Sequence, residues 1–324
     1  MKVIVLIPCL NEETTLPAVL KDIPRSIKGV DKLEILVVND GSTDSTVAVA
    51  KTYGVKHFVH HKLNQGLARS FHDGVMEALS LGADIIVTTD GDNQYPQADI
   101  PRLIQPILDS QADIVIADRQ THTIEHFSRL KKFLQKVGSR VVSFVAGVSL
   151  PDAASGFRAY SADSLIQINI ITRFSYTMET IIQAGSKGLA ITSIPIKTNP
   201  KTRESRLFKS THEHVIRSAV AIIRAYIMYR PLVFFNAIGT TLLTLGLLPF
   251  IRFAIISIIH AHNSTGAHHL QSLIVGTVLI MVAGLLYALG VIADLIRINR
   301  VLNEYNLELS KRLYLYGGKR KPPK

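Results

Sequence analysis

Along the first two hundred positions, apolar and polar residues change period in blocks. Short β-branched runs at 2–7, 33–39, 56–60, 84–89, 113–117 and 190–196 read as strands. Between them, stretches near 12–27, 43–53, 66–81, 99–110, 124–146 and 174–187 carry apolar residues at helical spacing. Strands that alternate with helices predict an α/β domain with a doubly wound, mostly parallel sheet. In such sheets ligands bind at the carboxyl ends of the strands, so chemistry is expected just after each strand.

The pattern changes after residue 210. Residues 211–229 predict a helix with Arg217 and Arg224 on one face and Val215, Ile216, Ala219, Ile222, Ile223, Tyr226 and Ile227 over much of the rest. A buried helix fits that pattern. An amphipathic helix lying in the membrane interface fits better, because an apolar run follows at once. Positions 232–251 hold no charged residue over 20 places and 273–293 none over 21. At 1.5 Å per residue, either can cross a hydrocarbon core about 30 Å thick. The expected organisation is an α/β domain at 1–208, an interfacial helix at 209–230, a transmembrane hairpin at 231–295 (spans about 232–256 and 272–293) and a basic tail at 296–324.

Composition agrees with a membrane protein. Of 324 residues, 47% are hydrophobic, and the formal charge is +11. A positive excess suits a polyanion: nucleic acid, an anionic bilayer or phosphorylated ligands. Given the spans, the bilayer and phosphorylated ligands are the expected partners and nucleic acid is not. Residues 253–272 contain no Lys, Arg, Asp or Glu. Arg217, Arg224 and Arg230 precede the hairpin, and Arg297, Arg300, Lys311, Arg312, Lys319, Arg320, Lys321 and Lys324 follow it. The positive-inside rule then predicts an integral protein of the cell membrane or endoplasmic reticulum, with the α/β domain and both termini cytoplasmic. Only the 260–269 hairpin would face out. Its His260, His262, His268 and His269 read as solvated, and Asn263-Ser264-Thr265 is a weak sequon. Cys9 is the single cysteine, so no intramolecular disulfide forms. The first apolar run ends at Pro8 and acids follow, which reads as a strand rather than a signal peptide.

Three strand ends carry candidate chemistry. At 88–96, Thr-Thr-Asp-Gly-Asp-Asn-Gln-Tyr-Pro places Asp90 and Asp92 in one turn around Gly91. Two carboxylates there suit a hard divalent cation that would cover a diphosphate; a polar turn that merely ends a strand is the plain alternative. At 37–44, Val-Val-Asn-Asp-Gly-Ser-Thr-Asp offers Asp40 to a ribose or base, with Ser42, Thr43 and Asp44 reading mostly as helix caps. At 7–13, Ile-Pro-Cys-Leu-Asn-Glu-Glu offers Glu12 to a base edge, or as a first-turn acid favoured by the helix dipole.

Taken together, these turns resemble the family-2 glycosyltransferases of GT-A fold, and most of all the branch of dolichol-phosphate mannose synthases and polyprenyl-phosphate glycosyltransferases. Asp90-Gly91-Asp92-Asn93-Gln94-Tyr95-Pro96 matches that branch's "D-x-D-x-Q-x-P", and Asp152-Ala153-Ala154-Ser155-Gly156-Phe157-Arg158 its "D-x-x-S-G-F-R". Thr202-Arg203-Glu204-Ser205-Arg206 looks like its basic "G-E-S-K" segment. The chain departs from the family at Asn39, often Asp, and at Arg203, where the family has Gly.

The resemblance implies the following. Pro8, Leu10, Glu12, Val38 and Asp40 line a nucleoside pocket; Asp90 and Gly91 meet the donor. Asp92 and Gln94 hold Mg²⁺ or Mn²⁺. Arg119, Arg203 and Arg206 grip phosphates, and Arg129, Lys131, Lys132 and Ser155 meet the acceptor phosphate. The expected reaction moves a hexose from a nucleoside-diphosphate sugar, GDP-mannose favoured, to dolichyl or polyprenyl phosphate with inversion. A UDP-linked glucose, N-acetylglucosamine or modified arabinose is the alternative donor. A lipid monophosphate has a second pKa near 6 and is already nucleophilic at neutral pH, so no protein base is needed. A processive polysaccharide synthase is disfavoured, because its "Q-x-x-R-W" motif needs a tryptophan and the chain has none. A non-catalytic nucleotide-binding membrane protein would tolerate loss of one aspartate of the Asp90/Asp92 pair, and both are present.

Overall fold

The computed structural model describes residues 1–121, 129–170, 176–200, 220, 223–224, 226–259 and 270–317. The chain divides into two compact units, Met1–Ile222 with Tyr305–Lys324, and Ile223–Glu304.

The first unit is built on a seven-stranded sheet of order β3-β2-β1-β4-β6-β5-β7. The strands are β1 (Lys2–Cys9), β2 (Lys32–Asn39), β3 (His57–His60), β4 (Ile85–Thr88), β5 (Ile114–Asp118), β6 (Arg158–Ser161) and β7 (Ile191–Pro195). All pairings are parallel except those of β6, which runs antiparallel between β4 and β5. The central strands read as continuous apolar runs because both faces are covered. Val3 to Ile7 of β1, Ile85 to Val87 of β4 and Val115 of β5 have essentially no exposed surface.

The covering helices are α1 (Leu16–Asp22), α2 (Thr46–Thr52), α3 (Leu67–Ser80), α4 (Ile100–Leu108), α5 (Arg129–Ala146), α6 (Ala162–Gln167) and α7 (Tyr176–Ser186). α3 lies close on the sheet at Gly74, where a Cβ would meet Leu6 Cδ1 at 2.4 Å. α7 crosses α5 so tightly that a Cβ on Gly185 would lie 2.1 Å from Ala146 O. The sequence pattern anticipates six of the seven strands; β6 and α6 are additions.

The second unit holds α8 (Pro231–Ile259) and most of α9 (Leu270–Tyr316). Both are long and apolar enough to cross a membrane, with mean hydropathy 2.3 and 2.4 in their spans. Small residues set their contact: a Cβ on Gly246 would meet Gly276 O at 2.9 Å, and one on Gly290 would meet Phe235 Cβ at 3.1 Å. Thr240 Oγ1 and Tyr287 OH share a hydrogen bond of 2.9 Å. Leu285, Met281 and Ile292 remain more than half exposed, as lipid-facing side chains do.

In the basic tail expected from 296 on, the helix α9 continues to Tyr316. Ion pairs at i, i+4 hold this stretch, Arg300–Glu304 at 2.7 Å and Glu308–Arg312 at 2.9 Å. From Tyr305 on it belongs to the first unit. Of the helix expected at 211–229, residues 220, 223–224 and 226–229 are described and helical. The rest of it, the 260–269 hairpin with its histidines and Asn263, and the charges at 319–324 lie outside the described residues.

Candidate active site

Turns at the ends of β1 and β2 lock together. Asn11 N donates to Ser42 Oγ (3.0 Å), Glu12 N to Thr46 Oγ1 (2.8 Å) and Glu13 N to Asp44 Oδ2 (3.1 Å). In return Thr43 N donates to Asn11 Oδ1 (2.8 Å) and Ser45 N to Glu13 Oε2 (2.9 Å). Ser42 and Thr43 thus tie one strand end to the other and do not cap α2; Asp44 does this as well as accepting from Thr46 N at 3.0 Å. Asn39 accepts from Ser42 N (2.9 Å) and faces His60 Nδ1 with its amide nitrogen (3.4 Å), a pairing an aspartate could not donate to.

Asp40 is buried, and its carboxylate accepts from Gln65 N (2.8 Å), Gly66 N (2.9 Å) and the His61 ring (2.7 Å). Of about four lone-pair positions on a carboxylate, one remains. Asp40 therefore chiefly fixes the 61–66 turn. The Val38 side chain, expected in a nucleoside pocket, is instead fully buried beneath α3, and a Cβ on Gly74 would meet its Cγ2 at 2.7 Å. Pro8 and Leu10 are half-buried at the end of β1, and Glu12 is buried with its Oε2 2.7 Å from the Thr15 hydroxyl.

The turn after β4 lies against these. Thr15 Oγ1 also reaches Gly91 O at 2.8 Å, and a Cβ on Gly91 would meet Glu12 Cγ at 3.2 Å and Cys9 Sγ at 3.3 Å. Asp90, Asp92 and Gln94 are half-buried. Asp92 Oδ1 accepts from Gln94 N at 3.1 Å, and Asn93 is left-handed (φ 58°), which turns the chain sharply. Beneath, buried Gln97 donates to Thr89 Oγ1 and Tyr95 O, both at 2.9 Å. Burial first, then the charges of Glu12, Asp44 and Asp90, push the Cys9 thiol up, so it is a neutral spacer and not a nucleophile.

The 152–158 segment closes the other side. Asp152 takes Arg119 in a two-pronged pair, Nε at 2.6 Å and Nη2 at 2.9 Å. Burial pushes the Asp152 carboxyl up, but the guanidinium outweighs it and holds the group below its usual range. Arg158 is fully buried and donates to Ser155 O (2.7 Å), Ala153 O (2.9 Å), Thr177 O (2.8 Å) and Thr180 Oγ1 (2.9 Å). It pins the turn from inside.

Gly156 is held on both sides, its N–H by Tyr95 OH at 3.0 Å and its C=O by Thr88 Oγ1 at 2.8 Å. A Cβ there would lie 3.3 and 3.4 Å from the two Asp90 oxygens and 3.4 Å from Tyr176 OH. The Asp90 carboxylate thus faces Gly156 with Tyr176 beside it. Ser155 is fully buried, and among the described residues its hydroxyl has no hydrogen-bond partner.

Sequence reasoning gave a role to Arg119; it quoted Tyr95, Asp152 and Arg158 only as motif positions, without a role, and did not single out Tyr176. It also missed Asn199, whose N and Nδ2 donate to Gln94 O (2.9 Å) and Asn93 O (3.0 Å) in the turn after β4. Arg203 and Arg206 lie outside the described residues. Arg129, Lys131 and Lys132 open α5, and of their side chains only that of Lys132, half-buried, is described.

Asp90 and Asp92 are hard oxygen donors on one half-buried turn, a set that fits a divalent cation. Among the described residues no three His, Cys, Asp or Glu side chains converge. Such an ion would complete its shell from ligand phosphates and water.

Comparison with known proteins finds sugar transferases. A dolichyl-phosphate hexose transferase of Haloferax volcanii is 31% identical over 199 residues, covering 61% of this chain and 82% of that protein. A UDP-N-acetylglucosamine–dolichyl-phosphate N-acetylglucosaminyltransferase of Methanococcus voltae is 29% identical over 216 residues (60% and 84%). An undecaprenyl-phosphate mannosyltransferase of Micrococcus luteus is 28% identical over 206 residues (60% and 83%). Among solved structures, glucosyl-3-phosphoglycerate synthase from Mycobacterium tuberculosis, in complex with Mn²⁺, UDP-glucose and phosphoglyceric acid, superposes with a TM-score of 0.54 at 20% identity, over 68% of this chain and 79% of that one. That likeness identifies the sheet as a GT-A fold. Residues 4–168 match the model of glycosyl transferase family 2, and the chain belongs to that family.

Proposed function

We propose that this glycosyltransferase moves a hexose from a nucleoside-diphosphate sugar to dolichyl or polyprenyl phosphate, with inversion, at the cytoplasmic membrane face. The observation that carries the reading is the Asp90 carboxylate facing Gly156 of the 152–158 turn, in a chain whose second unit is a pair of apolar helices. Relatives named for transfer to dolichyl or undecaprenyl phosphate support it.

The interlocked β1 and β2 turns would seat the nucleoside against Pro8, Leu10 and Glu12. Asp90 would orient the donor sugar. Asp92 with Gln94 would hold Mg²⁺ or Mn²⁺, which when bound offsets the charge of the departing diphosphate. Arg119, fixed by Asp152, adds a cation at the same end of the sheet. Arg203 and Arg206, which lie outside the described residues, are proposed to grip the diphosphate. Lys132, its neighbours Arg129 and Lys131, and the unpartnered Ser155 hydroxyl are proposed for the acceptor phosphate. An oxygen of that phosphate bonds to the anomeric carbon as the bond to the diphosphate breaks, and the nucleoside diphosphate leaves with the electron pair. A dianionic phosphate needs no base to take a proton.

GDP-mannose is the favoured donor. A UDP-sugar is the second reading, favoured by the Methanococcus voltae relative, whose name specifies UDP-N-acetylglucosamine. Membranes containing the full chain and polyprenyl phosphate, given radiolabelled GDP-mannose, UDP-glucose or UDP-N-acetylglucosamine, decide between them. Label from GDP-mannose in the lipid extract is expected. Label from a UDP-sugar alone establishes the second reading, and no lipid-phase label from any donor overturns both.

A further inference from the structure

Helix α9 does not stop where its apolar run ends. Within the first unit, its far end is plugged into the fold by two cations. Lys311 is nine-tenths buried, and its ammonium donates to Ile166 O (3.3 Å), Ile168 O (3.0 Å) and Asn169 Oδ1 (2.7 Å). Two of these acceptors lie at the C-terminal end of α6, where carbonyls without helical partners favour a cation. Arg312 adds an ion pair with Asp163 Oδ1 at 2.7 Å in the first turn of α6. α6 is thus gripped at both ends by adjacent residues of α9.

The grip leads to the active site. Asn169 N donates to Gln183 Oε1 (2.8 Å), and Gln183 Nε2 returns a bond to Asn169 O. Gln183 is fully buried on α7, the helix that carries Tyr176. Tyr176 stacks on Phe71 with centroids 4.1 Å apart, and its hydroxyl donates to Gly156 O at 3.5 Å, beside Asp90. Few buried hydrogen bonds separate Lys311 from the residue that shapes the Asp90 side of the site.

We propose that Lys311 and Arg312 are positioning residues: they fasten the stretch of α9 beyond the apolar span to α6 and Asn169, and through Gln183 they set where α7 holds Tyr176 against Gly156. The kinetic part of this proposal rests on the glycosyl-transfer reading; the coupling itself does not. The nucleotide side of the site, held by the β1 and β2 turns, has its own bonds and is independent of the clasp.

The test uses the full chain in lipid nanodiscs, with hydrogen exchange of 162–167 and 176–186 measured beside kcat and the Kd for nucleotide. Lys311→Met should speed exchange in 176–186 and lower kcat about tenfold, within the range that residues acting through a packed network produce. Nucleotide Kd should stay within about twofold, as for an uncoupled site. Lys311→Arg should restore most of the loss. Should Lys311→Met fail to fold, Arg312→Asp and its charge swap with Asp163→Arg decide: the single change lowers kcat and the swap recovers it. Unchanged exchange in 176–186, equal loss of nucleotide affinity and kcat, or no recovery in the swap overturns the proposal. Looser 176–186 in an enzyme whose wild type labels no lipid would uphold the clasp and refute the acceptor reading.

Discussion

Replacing Gly156 by alanine tests the site's central contact. The Gly156 peptide cannot retreat, because Tyr95 OH holds its N–H at 3.0 Å and Thr88 Oγ1 its C=O at 2.8 Å. The new methyl would sit 3.3 and 3.4 Å from the Asp90 oxygens and 3.4 Å from Tyr176 OH, so a neighbour must give by a few tenths of an ångström. The half-buried Asp90 is the freer of the two, since Tyr176 is stacked on Phe71. If a displacement of 1 Å costs about a hundredfold in rate, a few tenths should lower kcat about four- to tenfold. Stability should change by less than about 1 kcal/mol, or a few degrees in Tm, since the methyl meets flexible polar tips and not backbone. Steady-state kinetics on detergent-solubilised enzyme, with a melting curve on the same sample, reads both. A kcat within twofold of wild type would refute the placement of Asp90 against Gly156; a loss of several kcal/mol would show that the peptide yields instead.

Three further outcomes follow from the geometry. Asp92→Asn should abolish donor binding that depends on Mg²⁺ or Mn²⁺ while the protein stays folded, and EDTA should stop transfer in the wild type; full activity in EDTA contradicts the metal assignment. Burial pushes the Tyr95 phenol up to about 12 from an ordinary value of 10.0. Its contribution to stability is therefore whole below pH about 10 and is lost as pH climbs toward about 12, where the unfolded chain holds fewer protons. Tyr95→Phe should remove that alkaline loss and cost about 1–3 kcal/mol at neutral pH by orphaning Gly156 N–H, as urea melts at two pH values would show. Because the native Cys9 is buried, cysteine labelling has a low background: Ser264→Cys should react from outside intact cells and Tyr314→Cys should not, and the reverse would contradict a cytoplasmic catalytic unit.

The three strand ends were legible because each apolar run stops against an acidic turn, with a glycine in those after β2 and β4, a local signal within ten residues. What was not legible depends on partners far along the chain. β6 is four residues, Arg-Ala-Tyr-Ser, with no alternation of its own; it is a strand because β4 and β5 flank it. The Arg119–Asp152 pair spans 33 residues and the Asn199–Asn93 bond 106, distances over which composition carries no pairing information. Asp40 reads as a ligand carboxylate in sequence, yet its bonds to Gln65 and Gly66 appear only once the 61–66 turn folds back on it. Past residue 295 the charges of α9 look like a solvated tail, and only their i, i+4 spacing hints at a helix.

The measurement closest to the central claim compares two acceptors that differ by one group. Full-length enzyme in mixed micelles receives labelled nucleotide sugar with either polyprenyl phosphate or the free polyprenol. The phosphate supplies both the charge for the basic residues and a nucleophile that needs no deprotonation, whereas a hydroxyl lacks the base worth about 10²–10⁴ in rate. Transfer to the phosphate, with the alcohol slower by about 10³-fold or more, is the predicted result. Comparable transfer to the free alcohol, or to a soluble sugar in place of lipid, would contradict it.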